Sequence, residues 1–258
     1  MPNSDEIGFK MPDSKYINPK LETLNAELRT ENPEPITMRY YPISLDIRNR
    51  NCLVVGGGSV GTRKVTMLLE CGAMVSVVSI EATRKLKELS VNGKIRLERR
   101  PFKTSDLHGK FLVMGATDNP EINRHIYAEA RRLGVLCNIA DHPEACDFIL
   151  PAIVNRGDLT IAISTSGKSP AFAKKLRKDL EKEFGTEYAD FLKLMGEIRK
   201  KLLSEDHEPE AHKHLFEQLI ERKLIEMIKD RNISAVNSLL FEIFGEGYAY
   251  ESLMGEHQ

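Results

Sequence analysis

The run Gly56-Gly57-Gly58-Ser59-Val60-Gly61 limits what this chain can fold into more than any other stretch. It fits the spacing G-x-G-x-x-G at Gly56, Gly58 and Gly61. The residues before it, Asn51–Val55, form a short apolar run that reads as a buried strand entering a tight turn. The residues after it, Val60–Cys71, set Val65, Leu68 and Leu69 at helical spacing and close on Gly72. A strand, a glycine turn and an amphipathic helix in that order open a dinucleotide-binding βαβ unit. Each glycine has its own reason. Gly56 permits the sharp turn, Gly58 lets the backbone approach a pyrophosphate, and Gly61 lets the helix pack close to the strand. The helix N-terminus then offers N–H groups and a positive dipole end to the phosphates.

The pattern continues as strands alternating with helices. Met74–Val78 is a second apolar strand, Ile95–Arg99 a weaker one and Phe111–Ala116 a fourth. Pro120–Leu133 reads as a helix with Pro120 in its first turn and Gly134 past its end, and Leu136–Ala140 is a fifth strand. This alternation predicts an α/β fold, a Rossmann-type doubly wound parallel sheet. Asp147–Val154 and Leu159–Ser164 then form a hairpin across Asn155-Arg156-Gly157-Asp158. Beyond it the chain reads as helical, over Ser169-Pro170 to about Gly185, Glu187–Leu203, Glu210–Lys229 and Ile233–Phe244. The expected divisions are an extension over 1–37, a nucleotide-binding domain over 38–146, a small strand-containing dimerisation and substrate domain over 147–203, and a helical region over 204–258. Residues 1–37 are polar and rich in proline, with one short helix possible around Leu21, Leu24 and Leu28.

Composition removes several classes. A formal net charge of -1 argues against a nucleic-acid partner, and no apolar run approaches a membrane span. The N-terminus has no secretory pattern. Cys52, Cys71, Cys137 and Cys146 make no Cys-x-x-Cys pair, which argues against a zinc knuckle or thioredoxin motif; Cys52, Cys71 and Cys137 sit in or beside apolar stretches and read as buried reduced thiols, and the expected compartment is the cytoplasm. Thr165-Ser166-Gly167-Lys168-Ser169 looks like a phosphate loop, but Ala162 stands where its first glycine belongs, so ATP hydrolysis is rejected. The segment still offers hydroxyls, a lysine and a helix start to an anion. His212 and His214 read as surface residues.

Ligands of doubly wound sheets bind beyond the carboxyl ends of the strands. That edge holds Glu81 and Ser79 as alternatives for the ribose, with NAD favoured over NADP, and Asp118-Asn119 after the fourth strand. It also holds Asn138 in the fifth strand and Asp141 just past it. By position alone Asp141 is either an acid/base group or an ordinary turn residue.

Several segments together resemble one family. They are Tyr41-Pro42-Ile43, the glycine run with Arg63-Lys64, Ala116-Thr117-Asp118-Asn119 with Asn123, and Cys137-Asn138-Ile139-Ala140-Asp141. Phe148-Ile149-Leu150-Pro151-Ala152 and Ser164–Pro170 continue the match. Over about Met38–Leu203 the chain is similar to the precorrin-2 dehydrogenase domain of sirohaem synthases. The resemblance implies NAD-dependent oxidation of precorrin-2 to sirohydrochlorin, iron insertion in some members, and a homodimer. It implies a catalytic role for Asp141 and cofactor contacts at Ser59, Val60, Ile80 and Glu81. Thr165 stands where some members carry a serine, and the methyltransferase domain of the multifunctional enzymes has no counterpart.

Precorrin-2 is rimmed with carboxylates, so its pocket needs cations and N–H donors. The expected substrate contacts are Asn138, Arg156, Thr165, Ser166 and Lys168, with Lys174 and Arg177 continuing the positive character. No metal site is expected. Phe172, Leu176, Leu180, Phe191 and Leu194 are the apolar positions expected to build the dimer. The alternatives to a plain dehydrogenase are a bifunctional dehydrogenase and chelatase, a non-catalytic NAD-sensing module, and a methyltransferase.

Overall fold

A computed structural model describes residues 39–140, 142–205 and 209–255. The chain divides into two units, 1–43 and 44–258, and the sheet and all helices named below belong to the second. Expectations for residues 1–37, for Met38 and for Asp141 lie outside the described residues.

Five parallel strands make the main sheet: β1 (Asn51–Gly57), β2 (Met74–Ala82), β3 (Arg96–Glu98), β4 (Leu112–Gly115) and β5 (Leu136–Ile139). Their spatial order is β3-β2-β1-β4-β5, so the winding reverses between β1 and β4. Side chains alternate across the sheet. Cys52, Val54, Val75, Val77, Leu112 and Met114 face one side, against Val65 and Leu68 of α1 (Ser59–Glu70) and Leu86 of α2 (Arg84–Val91). Leu53, Val55, Val78, Val113, Cys137 and Ile139 face the other, against Ile126 and Ala130 of α3 (Pro120–Leu133). Covering both faces is why these strands read as continuous apolar runs rather than alternating ones.

Helix α3 has the bounds expected from its end signals. Asn119 accepts N–H bonds from Glu121 and Ile122, and Gly134 closes the helix at φ 66°. Helix α2 was not anticipated: its eight residues carry four charges and only Leu86 is buried, so tertiary packing and the Thr83 cap define it.

The second sheet is a two-stranded hairpin, β6 (Ala152–Arg156) and β7 (Leu159–Ile163). The strand expected from 147 starts later because Asp147 is tied back to β5. Its carboxylate accepts the Cys137 N–H at 2.9 Å, and Asn138 forms a bridge with Cys146. The turn is Gly157-Asp158, tighter than expected, because Asn155 and Arg156 stay in the ladder opposite Thr160 and Leu159. Helix α4 (Pro170–Glu183) packs on this hairpin.

The remaining helices are α5 (Glu187–Ser204), α6 (Pro209–Glu221), α7 (Leu224–Lys229), α8 (Ile233–Phe244) and α9 (Tyr250–Met254). One apolar cluster runs from Phe191 to Met254 and joins α5 to the helices beyond it, so the division expected at 203/204 falls inside a shared core. Phe191 and Leu194 are 6% and 0% exposed within that core, which withdraws them from any dimer contact. The helix expected over Glu210–Lys229 breaks at Lys223, whose φ is 61°, and α9 was not foreseen. His212 is buried rather than on the surface.

Candidate functional site

The glycine run leaves β1 at the point where the winding reverses. Three of its four glycines are dictated by the chain's own packing. A Cβ on Gly56 would stand 2.2 Å from the Ala116 carbonyl oxygen, and Gly56 has φ +111°. A Cβ on Gly57 would stand 2.3 Å from the Glu81 carbonyl oxygen, and one on Gly61 2.0 Å from the Gly56 carbonyl oxygen. Gly57 is thus a third steric glycine, which the spacing motif treats as a free position. Gly58 is different: a Cβ there meets nothing within 4 Å. The glycine that the fold does not need is the exposed one at the start of α1.

Helix α1 begins with no side-chain cap and no acidic residue in its first turn. Its first N–H groups and its positive dipole end are therefore open to an anion beside Gly58 and Ser59. Room for close approach together with uncapped donors fits a dinucleotide pyrophosphate. The second strand supports the loop from the side. The Gly57 N–H donates to the Ser79 hydroxyl at 2.8 Å and the Thr83 N–H to the Gly57 carbonyl at 3.0 Å. Ser79 is therefore a loop support, which leaves Glu81 as the acidic group at the strand end. Ile80 beside it is 66% exposed, an apolar surface next to the open loop. Val60 is half-buried in the first turn of α1.

On the β4 side, Asp118 is exposed. Its neighbours are pinned: Asn123, buried on α3, donates to the Thr117 carbonyl and accepts from the Thr117 hydroxyl. On the β5 side, Asn138 is buried, and its amide donates to the Phe148 carbonyl at 3.0 Å. Its oxygen accepts from the ammonium of Lys64 at 2.7 Å. Lys64 is 7% exposed on α1 and was not singled out as a site residue from the sequence. Helical spacing held the signal, since Gly61, Lys64, Val65 and Leu68 form the buried face. Burial pushes the Cys146 thiol up, against the lowering pull of the Lys64 charge, and pushes Cys137 to about 12. These thiols stay protonated and are no nucleophiles. Cys71, expected to be buried, is exposed.

The second group of expected contacts lies on the hairpin and α4. Thr165, Ser166 and Lys168 share the loop before α4, with Ser166 and Lys168 exposed. Arg156 is not with them. It lies at the other end of the hairpin, where its guanidinium donates to the Phe184, Glu181 and Asn155 carbonyls and closes the C-terminal end of α4. A helix of this length puts the two ends about 20 Å apart. Arg156 is thus a helix-end clamp. Arg177 is paired with Glu181, so Lys168 and Lys174 are the exposed cations left of the expected set.

Residues 43–152 match the family described as NAD(P)-binding, and residues 156–183 the family described as "Sirohaem biosynthesis protein central". Across these two spans the chain is similar to the sirohaem synthases. It is 35% identical over 205 residues to the siroheme synthase of Methylococcus capsulatus, covering 80% of this chain and 43% of that protein. It is 36% identical over 191 residues to the siroheme synthase of Nitrosococcus oceani, covering 74% of this chain and 41% of that protein. The chain thus spans about two fifths of the length of these sirohaem synthases. Among solved structures, the precorrin-2 dehydrogenase SirC superposes with a TM-score of 0.59 at 25% identity, covering 74% of this chain and all of that one. The nicotinamide dinucleotide expected from the glycine run agrees with the matched family. Among the described residues no helix is long and apolar enough to cross a membrane.

Proposed function

We propose that this chain is an NAD-dependent precorrin-2 dehydrogenase, producing sirohydrochlorin for sirohaem synthesis. The observation that carries the reading is the uncapped start of α1 beside Gly58, within residues that match an NAD(P)-binding family. NAD is preferred to NADP because Glu81 presents a carboxylate at the β2 end, where it would repel a 2′-phosphate. The nearby Arg84 is paired with Glu88 at 2.7 Å. Gly56, Gly58, Ser59, Val60, Gly61, Ile80, Glu81 and Asp118 form the cofactor surface.

The bound nicotinamide supplies the hydride acceptor. Precorrin-2 loses one hydride and one proton, and the products are sirohydrochlorin, NADH and a proton. Asp141 accepts the proton; in the sequence it comes two residues after the last residue of β5. Thr165, Ser166 and Lys168 hold substrate carboxylates, and Asn138 acts as a strut behind them. The protein is a homodimer in the cytoplasm. Two observations support this: among the described residues both strands of the hairpin have an open edge, and Phe172 on α4 is 56% exposed. The four free thiols suit a reducing compartment.

The test is anaerobic NADH formation by the full chain. NADH should appear only when precorrin-2 is present. Asp141→Ala should lower turnover by about 10²–10⁴-fold while NAD affinity holds, and Asp141→Asn should be nearly as impaired. A fully active Asn variant removes Asp141 from proton transfer. No NADH from the unaltered chain overturns the reading. Iron insertion into supplied sirohydrochlorin, followed in parallel, decides between the one-activity and two-activity enzymes.

A further inference from the structure

Lys64 is a buried cation on the helix that opens the nucleotide site. A lysine on a buried helix face is costly, and an apolar residue of similar volume would pack there at least as well. Its ammonium meets the Asn138 amide oxygen across the sheet edge at 2.7 Å. That bond joins α1, which carries the glycine loop, to β5. Asn138 in turn donates to the Phe148 carbonyl at 3.0 Å and to the Cys146 thiol at 3.5 Å. The Cys146 thiol also accepts the Ile139 N–H at 3.2 Å and donates to the His142 carbonyl at 3.1 Å. The described ends of the segment from Asn138 to Phe148 therefore meet at one amide side chain. The Lys64 ammonium holds that side chain in a single orientation, because it can donate only to the oxygen.

We propose that Lys64 is a positioning residue: by gripping Asn138 it ties the nucleotide helix to the 138–148 loop and sets that loop for the reaction. The residue touches neither substrate nor cofactor in this role. The activity readout rests on the dehydrogenase reading above, whereas the loop readout does not.

The test compares the unaltered full chain with Lys64→Met and Asn138→Ala, singly and together. Hydrogen exchange should quicken about tenfold in amides of residues 139–148 in each variant, while β1 and α1 keep their protection and calorimetric NAD affinity is unchanged. In the precorrin-2 assay, kcat should fall about 10–100-fold with KM for NAD held. The double variant should lose no more than the worse single one, because both changes break the same link. A purely structural lysine would instead lower the melting temperature and leave kcat and the double-variant product multiplicative. Should Lys64→Met not fold, Lys64→Gln is measured in the same way. Unquickened exchange in 139–148 overturns the proposal whatever the enzyme turns over. Quickened exchange in a chain that never turns over precorrin-2 upholds the link and sinks the reaction instead.

Discussion

Helices α1 and α4 both start after a loop of small residues, and they treat their first turns in opposite ways. Helix α4 caps itself. The Ser169 hydroxyl accepts the Phe172 N–H, the Thr165 hydroxyl accepts the Ser169 N–H, and the Ser164 hydroxyl accepts the Ser166 N–H. Helix α1 starts at Gly58 with no side chain at all. Both ends carry the same partial positive charge from the backbone. What differs is who satisfies it. In α4 the Ser169 hydroxyl answers one of those donors, and the Thr165 and Ser164 hydroxyls brace the loop before it. In α1 the donors are left to whatever enters beside Gly58. A glycine or serine at a helix start therefore says little until it is known whether the loop bonds to itself.

The comparison can be broken most severely inside the glycine loop. Gly56→Ala forces a Cβ against the Ala116 carbonyl at φ +111°, so thermal unfolding should show a loss of about 3 kcal/mol or more. A stable Gly56→Ala protein would mean that the loop is not held by β4 as described.

Gly58→Asp separates binding from stability. Asp is a favoured cap, and Gly58 already has the extended backbone of a cap residue at φ -74° and ψ -167°. The variant should melt no lower than the parent, by calorimetry, and should gain a few tenths of a kcal/mol. Its NAD affinity should fall by roughly 100-fold, because the carboxylate occupies the space and repels the pyrophosphate. Unchanged affinity would show that the open helix start is not the phosphate site.

The mirror experiment is Ser169→Ala. Removing the self-made cap of α4 should cost about 1 kcal/mol in denaturant unfolding and leave NAD titration as it was. A large change in NAD affinity would mean that the two helix starts are not independent.

The smallest effect sharpens the hairpin end. Arg156→Lys loses the forked contacts to the Phe184 and Glu181 carbonyls, and should cost about 1 kcal/mol of stability with KM for precorrin-2 unmoved. A raised KM with unchanged stability would return Arg156 to the substrate.

The glycine run, the alternation of strands with helices and the ends of α3 were legible because each rests on local chemistry. A positive φ, a proline in a first turn and an asparagine cap are written in a few adjacent residues. The apolar strands were legible because a sheet covered on both faces needs them apolar throughout. Local signals also misled in places. Asp147 looked like a strand start, yet it folds back onto Cys137, a partner ten residues earlier. Arg156 looked like a carboxylate ligand, yet its donors go to the end of a helix that begins fourteen residues later. Lys64 carried no local sign of a partner, yet it reaches Asn138, seventy-four residues away.

The sequence by itself determined the fold class and where the nucleotide loop falls, because turn geometry and side-chain periodicity act within a few residues. Only the tertiary structure decided which polar groups serve a ligand and which serve the chain. A hydrogen-bonding side chain has the same chemistry in either role, and its role depends on what the fold brings within about 3 Å of it.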